Sequence, residues 1–148
     1  MVENDLRGRG IKDTKVLDAM GKIPRHLFVG ESQRKRAYED YPLPIGDGQT
    51  ISQPWVVARM IELLLEREGE APRSSLGCVL EIGTGCGYQA AVLGELARHV
   101  VSIERLRPLF DKARANLDAL HLPHLRLVYG DGRLGHAPNA PYDSIICA

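Results

Sequence analysis

From Cys78 onward the sequence alternates short apolar runs with longer amphipathic stretches, and that alternation leaves few folds open to the chain. CVLEIG (Cys78 to Gly83), HVVSIE (His99 to Glu104), LRLVYG (Leu125 to Gly130) and YDSIICA (Tyr142 to Ala148) read as buried strands. GYQAAVLGELA (Gly87 to Ala97) and PLFDKARANLDAL (Pro108 to Leu120) read as the helices between them, the second opened by Pro108. Strands and helices in this rhythm build βαβ units and a mostly parallel sheet with helices on both faces. Right-handed crossovers then put the glycine-rich turn after the first strand at the carboxyl edge of the sheet, where ligands bind.

The first half of the chain reads differently. Asp13 is placed to cap a short helix that carries Val16, Leu17 and Met20 on one face, and Pro24 ends it. Glu31 to Arg36 is polar and reads as an exposed helical turn. YPLPIGDG (Tyr41 to Gly48) holds two prolines and two glycines and reads as a loop with a fixed path. A helix follows, with Ser52 or Gln53 as N-cap, Pro54 at its first position, and Val56, Val57, Met60, Ile61 and Leu64 recurring at helical spacing. Glu68 to Ser75 reads as a polar connector. We divide the chain into an N-terminal helical segment with a ligand loop (1–75) and a ligand-binding βαβ half (76–148), which together form one structural domain.

Composition excludes several classes. The chain is 44% hydrophobic and 26% charged, which argues against disorder. Lys+Arg and Asp+Glu both number 19, so no excess charge attracts a nucleic acid or an anionic membrane. No apolar run approaches the roughly 18 residues of a membrane helix, and MVENDLRGRG lacks the core of a secretory signal. The three cysteines (Cys78, Cys86 and Cys147) have neither disulfide-framework nor zinc spacing. A reducing, cytoplasmic setting and no metal are expected.

Four motifs carry chemistry. LEIGTGCGY (Leu80 to Tyr88) joins a strand to a helix through Gly83, Gly85 and Gly87, where a ligand can approach backbone closely. A dinucleotide fingerprint wants a small residue where Tyr88 stands, which disfavours a nicotinamide oxidoreductase. The G-x-G-x-G spacing behind Glu81 suits a nucleoside with an amino-acid tail, whose ammonium a carboxylate can meet. The bland alternative is a turn that only permits tight packing. Glu104 closes the second strand and can accept both hydroxyls of a ribose; otherwise it is a solvated strand-end carboxylate. Asp131, within YGDG (Tyr129 to Gly132), can meet an adenine amino group or belong to an ordinary Asp-Gly turn. Ser52, within GQTISQP (Gly48 to Pro54), is by local rules a plain N-cap. His26, His121, His124 and His136 show no partner or metal spacing, and Cys86 is either a small buried side chain or a reactive thiol at a helix N-terminus.

These residues carry a family resemblance. AYEDYPLPIGDGQTISQP (Ala37 to Pro54), LEIGTGCGYQAAVL (Leu80 to Leu93), VSIER and YGDG resemble protein-L-isoaspartate O-methyltransferases, and VLDAMGKIPRHLFV (Val16 to Val29) is similar too. The glycine turn is shared by many class I methyltransferases; PLPIGDGQTISQP is far more specific. The resemblance implies a Rossmann-like class I methyltransferase fold. It implies methyl transfer from S-adenosylmethionine to the α-carboxyl of L-isoaspartyl residues in damaged peptides and proteins, a repair reaction by a monomer. It also implies an active-site role for Ser52, which overrides the local N-cap preference. The cofactor positions it implies fall on Glu81, Gly83, Gly85, Glu104 and Asp131, with Thr84, Gly87, Tyr88, Arg105 and Gly132 beside them. Thr50, Ile51 and Gln53 are expected to line the methyl end.

Family members continue past the fourth strand, so the last strands of the sheet are expected to be missing here. The alternative function is therefore a truncated, non-catalytic protein that binds S-adenosylmethionine or an interaction partner. A methyltransferase with a small-molecule acceptor is a further alternative, against which the PLPIGDGQTISQP segment argues.

Overall fold

The computed structural model describes residues 1–66, 71 and 73–148, so part of the expected connector Glu68–Ser75 lies outside the described residues. After helical turns at Val2–Leu6 and Arg7–Arg9 comes α1 (Thr14–Lys22). The Asp13 carboxylate caps α1 by accepting from the Lys15 and Val16 amides at 2.8 and 3.2 Å. Val16, Leu17 and Met20 are buried, as the spacing predicts. Glu31–Arg36 is a 3-10 turn with no buried residue.

The stretch read as a loop is a β-hairpin. Strand β1 (Leu43–Gly46) pairs antiparallel with β2 (Gln49–Ile51). Asp47 and Gly48 form the two-residue turn, both at positive φ (52° and 69°). Asp-Gly favours that turn, whose twist matches the strands it joins. Leu43 and Ile45 point inward while Pro44 and Gly46 face out.

Helix α2 (Pro54–Leu65) starts on Pro54 and buries Val57, Ala58, Ile61 and Leu65. Its N-cap residue is Gln53, and neither Gln53 nor Ser52 caps with its side chain. The cap comes from elsewhere: Asp40 Oδ1 accepts from the Trp55 amide at 2.9 Å.

The second half follows the βαβ reading. Strands β3 (Cys78–Ile82), β4 (His99–Glu104), β5 (Leu125–Tyr129) and β6 (Ser144–Cys147) form one parallel sheet in the order β5-β4-β3-β6. Between them run α3 (Tyr88–Gly94) and α4 (Arg107–Asp118). Helix α3 stops short of Ala97 because the Glu95 and Leu96 amides turn back in tight bonds to Val92 and Leu93.

The two faces of the sheet differ. Val79, Val100 and Ile146 share a core with residues of α1, α2, α3 and α4. Leu80, Val101 and Ile103 form a separate cluster with Ile82, Val128 and Tyr142, which no α-helical residue joins. The α-helices contribute to the first of these clusters. Among the described residues, strand β6 pairs only with β3, and Ile145 on it is 57% exposed. Among the described residues, no helix is long and apolar enough to cross a membrane.

Candidate active site

The glycine turn leaves β3 at the carboxyl edge of the sheet. The Gly83 and Thr84 amides donate to the Ile103 carbonyl at 2.9 and 3.3 Å, pinning the turn to β4. Gly85 has φ +58°, and a Cβ there would stand 3.2 Å from Ile45 Cδ1 of the hairpin. Lys112 of α4 donates to the Ile45 carbonyl at 2.9 Å. The hairpin is thus held over the glycine turn, and a cleft of about 340 Å³ lies between them.

Most residues singled out in the sequence meet at this cleft. Thr50, Ile51 and Ser52 line one side. Gly83, Thr84, Gly85 and Tyr88 line the floor, with Glu104 and Arg105 beside them and Asp131 and Gly132 across. Ser52 is half-buried, and its hydroxyl takes no part in the hydrogen bonds of the described residues. Glu104 is 4% exposed and held rigidly: Oε2 accepts from the Gly85 amide at 2.8 Å and Oε1 from the Leu106 amide at 2.9 Å. Each oxygen keeps a lone pair for a further donor.

Three of the expected residues stand elsewhere. Gln53 turns away and donates to Asp40 Oδ2 at 2.7 Å. Gly87 does not border the cleft; at φ +91°, its missing Cβ makes room for Leu117 Cγ of α4 at 3.1 Å. Glu81 lies beneath the turn, fully buried, with Oε1 unpartnered. Its Oε2 accepts from the Ser102 hydroxyl, which is also 2.6 Å from Thr84 Oγ1. Burial pushes the Glu81 carboxyl up to about 7; the Ser102 hydrogen bond and the neighbouring Gln89 amide oppose the rise, and the Glu104 charge adds to it.

Two further side chains are committed. Tyr88 borders the cleft, but it is 1% exposed and its ring packs on Phe28 and under Arg25. Burial raises its hydroxyl to about 12. Asp131 is clasped by Arg133 through side chain and backbone, at 2.7–3.2 Å, which holds its carboxyl down at about 2. Cys86 is 2% exposed and burial raises its thiol, which favours the small buried side chain over the reactive thiol.

A sequence model described as protein-L-isoaspartate(D-aspartate) O-methyltransferase matches residues 1–148. The chain belongs to that family. It is 64% identical over 143 residues to a protein-L-isoaspartate O-methyltransferase of Methylibium petroleiphilum, covering 97% of this chain and 52% of that protein. The one from Leptothrix cholodnii is 60% identical over 148 residues, covering 100% of this chain and 51% of its own length. A solved protein-L-isoaspartate O-methyltransferase superposes with a TM-score of 0.84 at 32% identity, over 99% of this chain and 47% of that one. The chain spans about half the length of the curated relatives it matches.

Sequence reasoning missed three residues at or behind the cleft. Ser102 is fully buried between Glu81 and Thr84, and a lone hydroxyl inside the apolar run HVVSIE was its signal. Arg133 has no local signal, since its partner is decided by the 3-10 turn Gly132–Leu134. Arg25 is fully buried, which nothing in IPRHLF foretells.

Proposed function

We propose that the chain contributes the cofactor-binding half and the serine segment of an enzyme that transfers a methyl group from S-adenosylmethionine to the α-carboxyl of L-isoaspartyl residues. The observation that carries the reading is the single cleft between the Ser52 segment and the glycine turn. The residues present suit the cofactor. The volume lies within the roughly 300–1,000 Å³ of small-molecule sites. Glu104 offers two fixed acceptors to a ribose diol, and the unpartnered Oε1 of Glu81 beneath the turn suits the field of an ammonium above it.

Bound there, S-adenosylmethionine would supply a methyl group on a sulfonium. Glu104 would hold the ribose, and the backbone at Gly83 and Gly85 would let the amino-acid tail approach. Thr84 and Ser102 hold Glu81 in place beneath the turn. Asp131, Gly132 and Arg105 would wall the adenine, and Thr50 and Ile51 the transferred methyl. The acceptor carboxylate is ionised at neutral pH, its reference pKa being near ~4, so no general base is needed. What the protein supplies is alignment and exclusion of water, worth at most roughly 7–11 kcal/mol of barrier. Ser52 orients the acceptor carboxylate by donating a hydrogen bond to it. Isoaspartyl peptides and proteins are the substrates, met by a monomer in the cytoplasm. Residues 1–75 and 76–148 act as one domain, supported by the core that runs from Leu6 to Ile146.

The test is transfer of labelled methyl from S-adenosylmethionine to an isoaspartyl peptide, with the aspartyl peptide as control. Base-labile label on the isoaspartyl peptide alone is the expected result. Binding of S-adenosylhomocysteine by calorimetry without any transfer would favour the non-catalytic alternative.

A further inference from the structure

Arg25 is fully buried, yet no carboxylate lies within ion-pair distance of it among the described residues. Its Nε donates to the Ala37 carbonyl at 2.8 Å. One Nη donates to the Ser52 carbonyl at 2.8 Å and reaches the Tyr41 carbonyl at 3.4 Å. The guanidinium lies 4.8 Å from the centre of the Tyr88 ring, and its other Nη has no partner.

Burying a guanidinium without an anion is costly, and an apolar side chain of similar size would fill the space with less penalty. Filling space is therefore a poor account of it. Its fork ties together two stretches that flank the hairpin, Ala37–Tyr41 before and Ser52 after, and seats them on Tyr88, the first residue of α3. A lysine ammonium cannot span these carbonyls in one plane.

We propose that Arg25 is a positioning residue, which fixes the backbone of Ser52 against the glycine-turn helix and so sets the acceptor side of the cleft. The inference rests on the reading of Ser52 given above. Arg25 makes no hydrogen bond or ion pair with Glu104, Arg105, Asp131 or Gly132, the residues expected to hold the ribose and adenine, so its loss falls first on the acceptor.

Arg25→Lys and Arg25→Met test this in the full chain. Trp55, the sole tryptophan, stands three positions after Ser52 and reports on that segment. Both variants are expected to bind S-adenosylhomocysteine as the parent does, to expose Trp55 more to acrylamide quenching, and to lose roughly tenfold or more in kcat/KM for the isoaspartyl peptide. The Arg25→Lys loss should largely vanish in a Ser52→Ala background, because the residue acts through Ser52. Equal loss of cofactor-product binding and turnover, unchanged quenching, or full additivity with Ser52→Ala would overturn the proposal. If Arg25→Met does not fold, Arg25→Lys carries the test. If the parent protein methylates no isoaspartyl peptide, the proposed reaction fails on its own, and Trp55 quenching decides for Arg25.

Discussion

A carboxyl group with no exposure and one unpartnered oxygen, as at Glu81, answers to pH in a sense opposite to an ordinary ion-paired acid. Its folded-state value, about 7, lies above the reference 4.5. Between those values the folded chain holds a proton that the unfolded chain has lost. Stability from this group is thus fully present below about pH 4.5 and is lost as pH rises through 7. Glu81→Gln stays neutral throughout, and it should gain on the parent by roughly 3 kcal/mol across that window. Urea unfolding at several pH values measures this; parallel curves for the two proteins would refute it. Ser52→Ala makes a different prediction at the same scale. Losing one hydrogen bond to a charged acceptor should cut turnover roughly 10- to 100-fold while S-adenosylhomocysteine binding stays unchanged. Kinetics and calorimetry on one preparation separate the two.

At the scale of elements, the start of α2 is the instructive case. Its amides are capped by Asp40, fourteen positions before the helix begins at Pro54 (54 − 40). Asp40 also pairs with Arg9 and accepts from Gln53. Asp40→Ala should therefore cost about 1–2 kcal/mol, the range of a lost N-cap; thermal unfolding would show it, and Asp40→Asn should recover most of the loss. Gly87→Ala would force an L residue to φ +91° and press on Leu117, costing at least ~1–2 kcal/mol. Its melting temperature should fall while the cleft chemistry is unchanged, since Gly87 does not border it.

Elements whose signals are local were legible in advance: Asp13 before α1, Pro54 opening α2, and the apolar runs of β3 to β6. The hairpin was also written locally, in Asp47 and Gly48, but two prolines weighted the reading toward a loop. What could not be read were partners chosen by the tertiary fold. Asp40 took the cap that local rules gave to Ser52, Arg133 took Asp131, and Gly87 turned toward α4. The resemblance implied an active-site role for Ser52; periodicity alone could not.

For the whole molecule, one hydrophobic core takes in residues from Leu6 to Ile146, so the N-terminal helices and the sheet are packed together.

The cleft is assembled from stretches far apart along the chain: Gln49 to Ser52, Ile82 to Cys86, Glu104 to Leu106 and Asp131 to Arg133. None of these can recognise a ligand alone, so whatever fills the cleft binds the folded chain and ignores the unfolded one. Occupancy therefore adds to the folding free energy, by about 2.7 kcal/mol at a hundredfold excess over Kd. The cleft is a thermodynamic clamp as well as the proposed reaction vessel: a chain that meets its ligand early is held against unfolding by the molecule that fills the cleft.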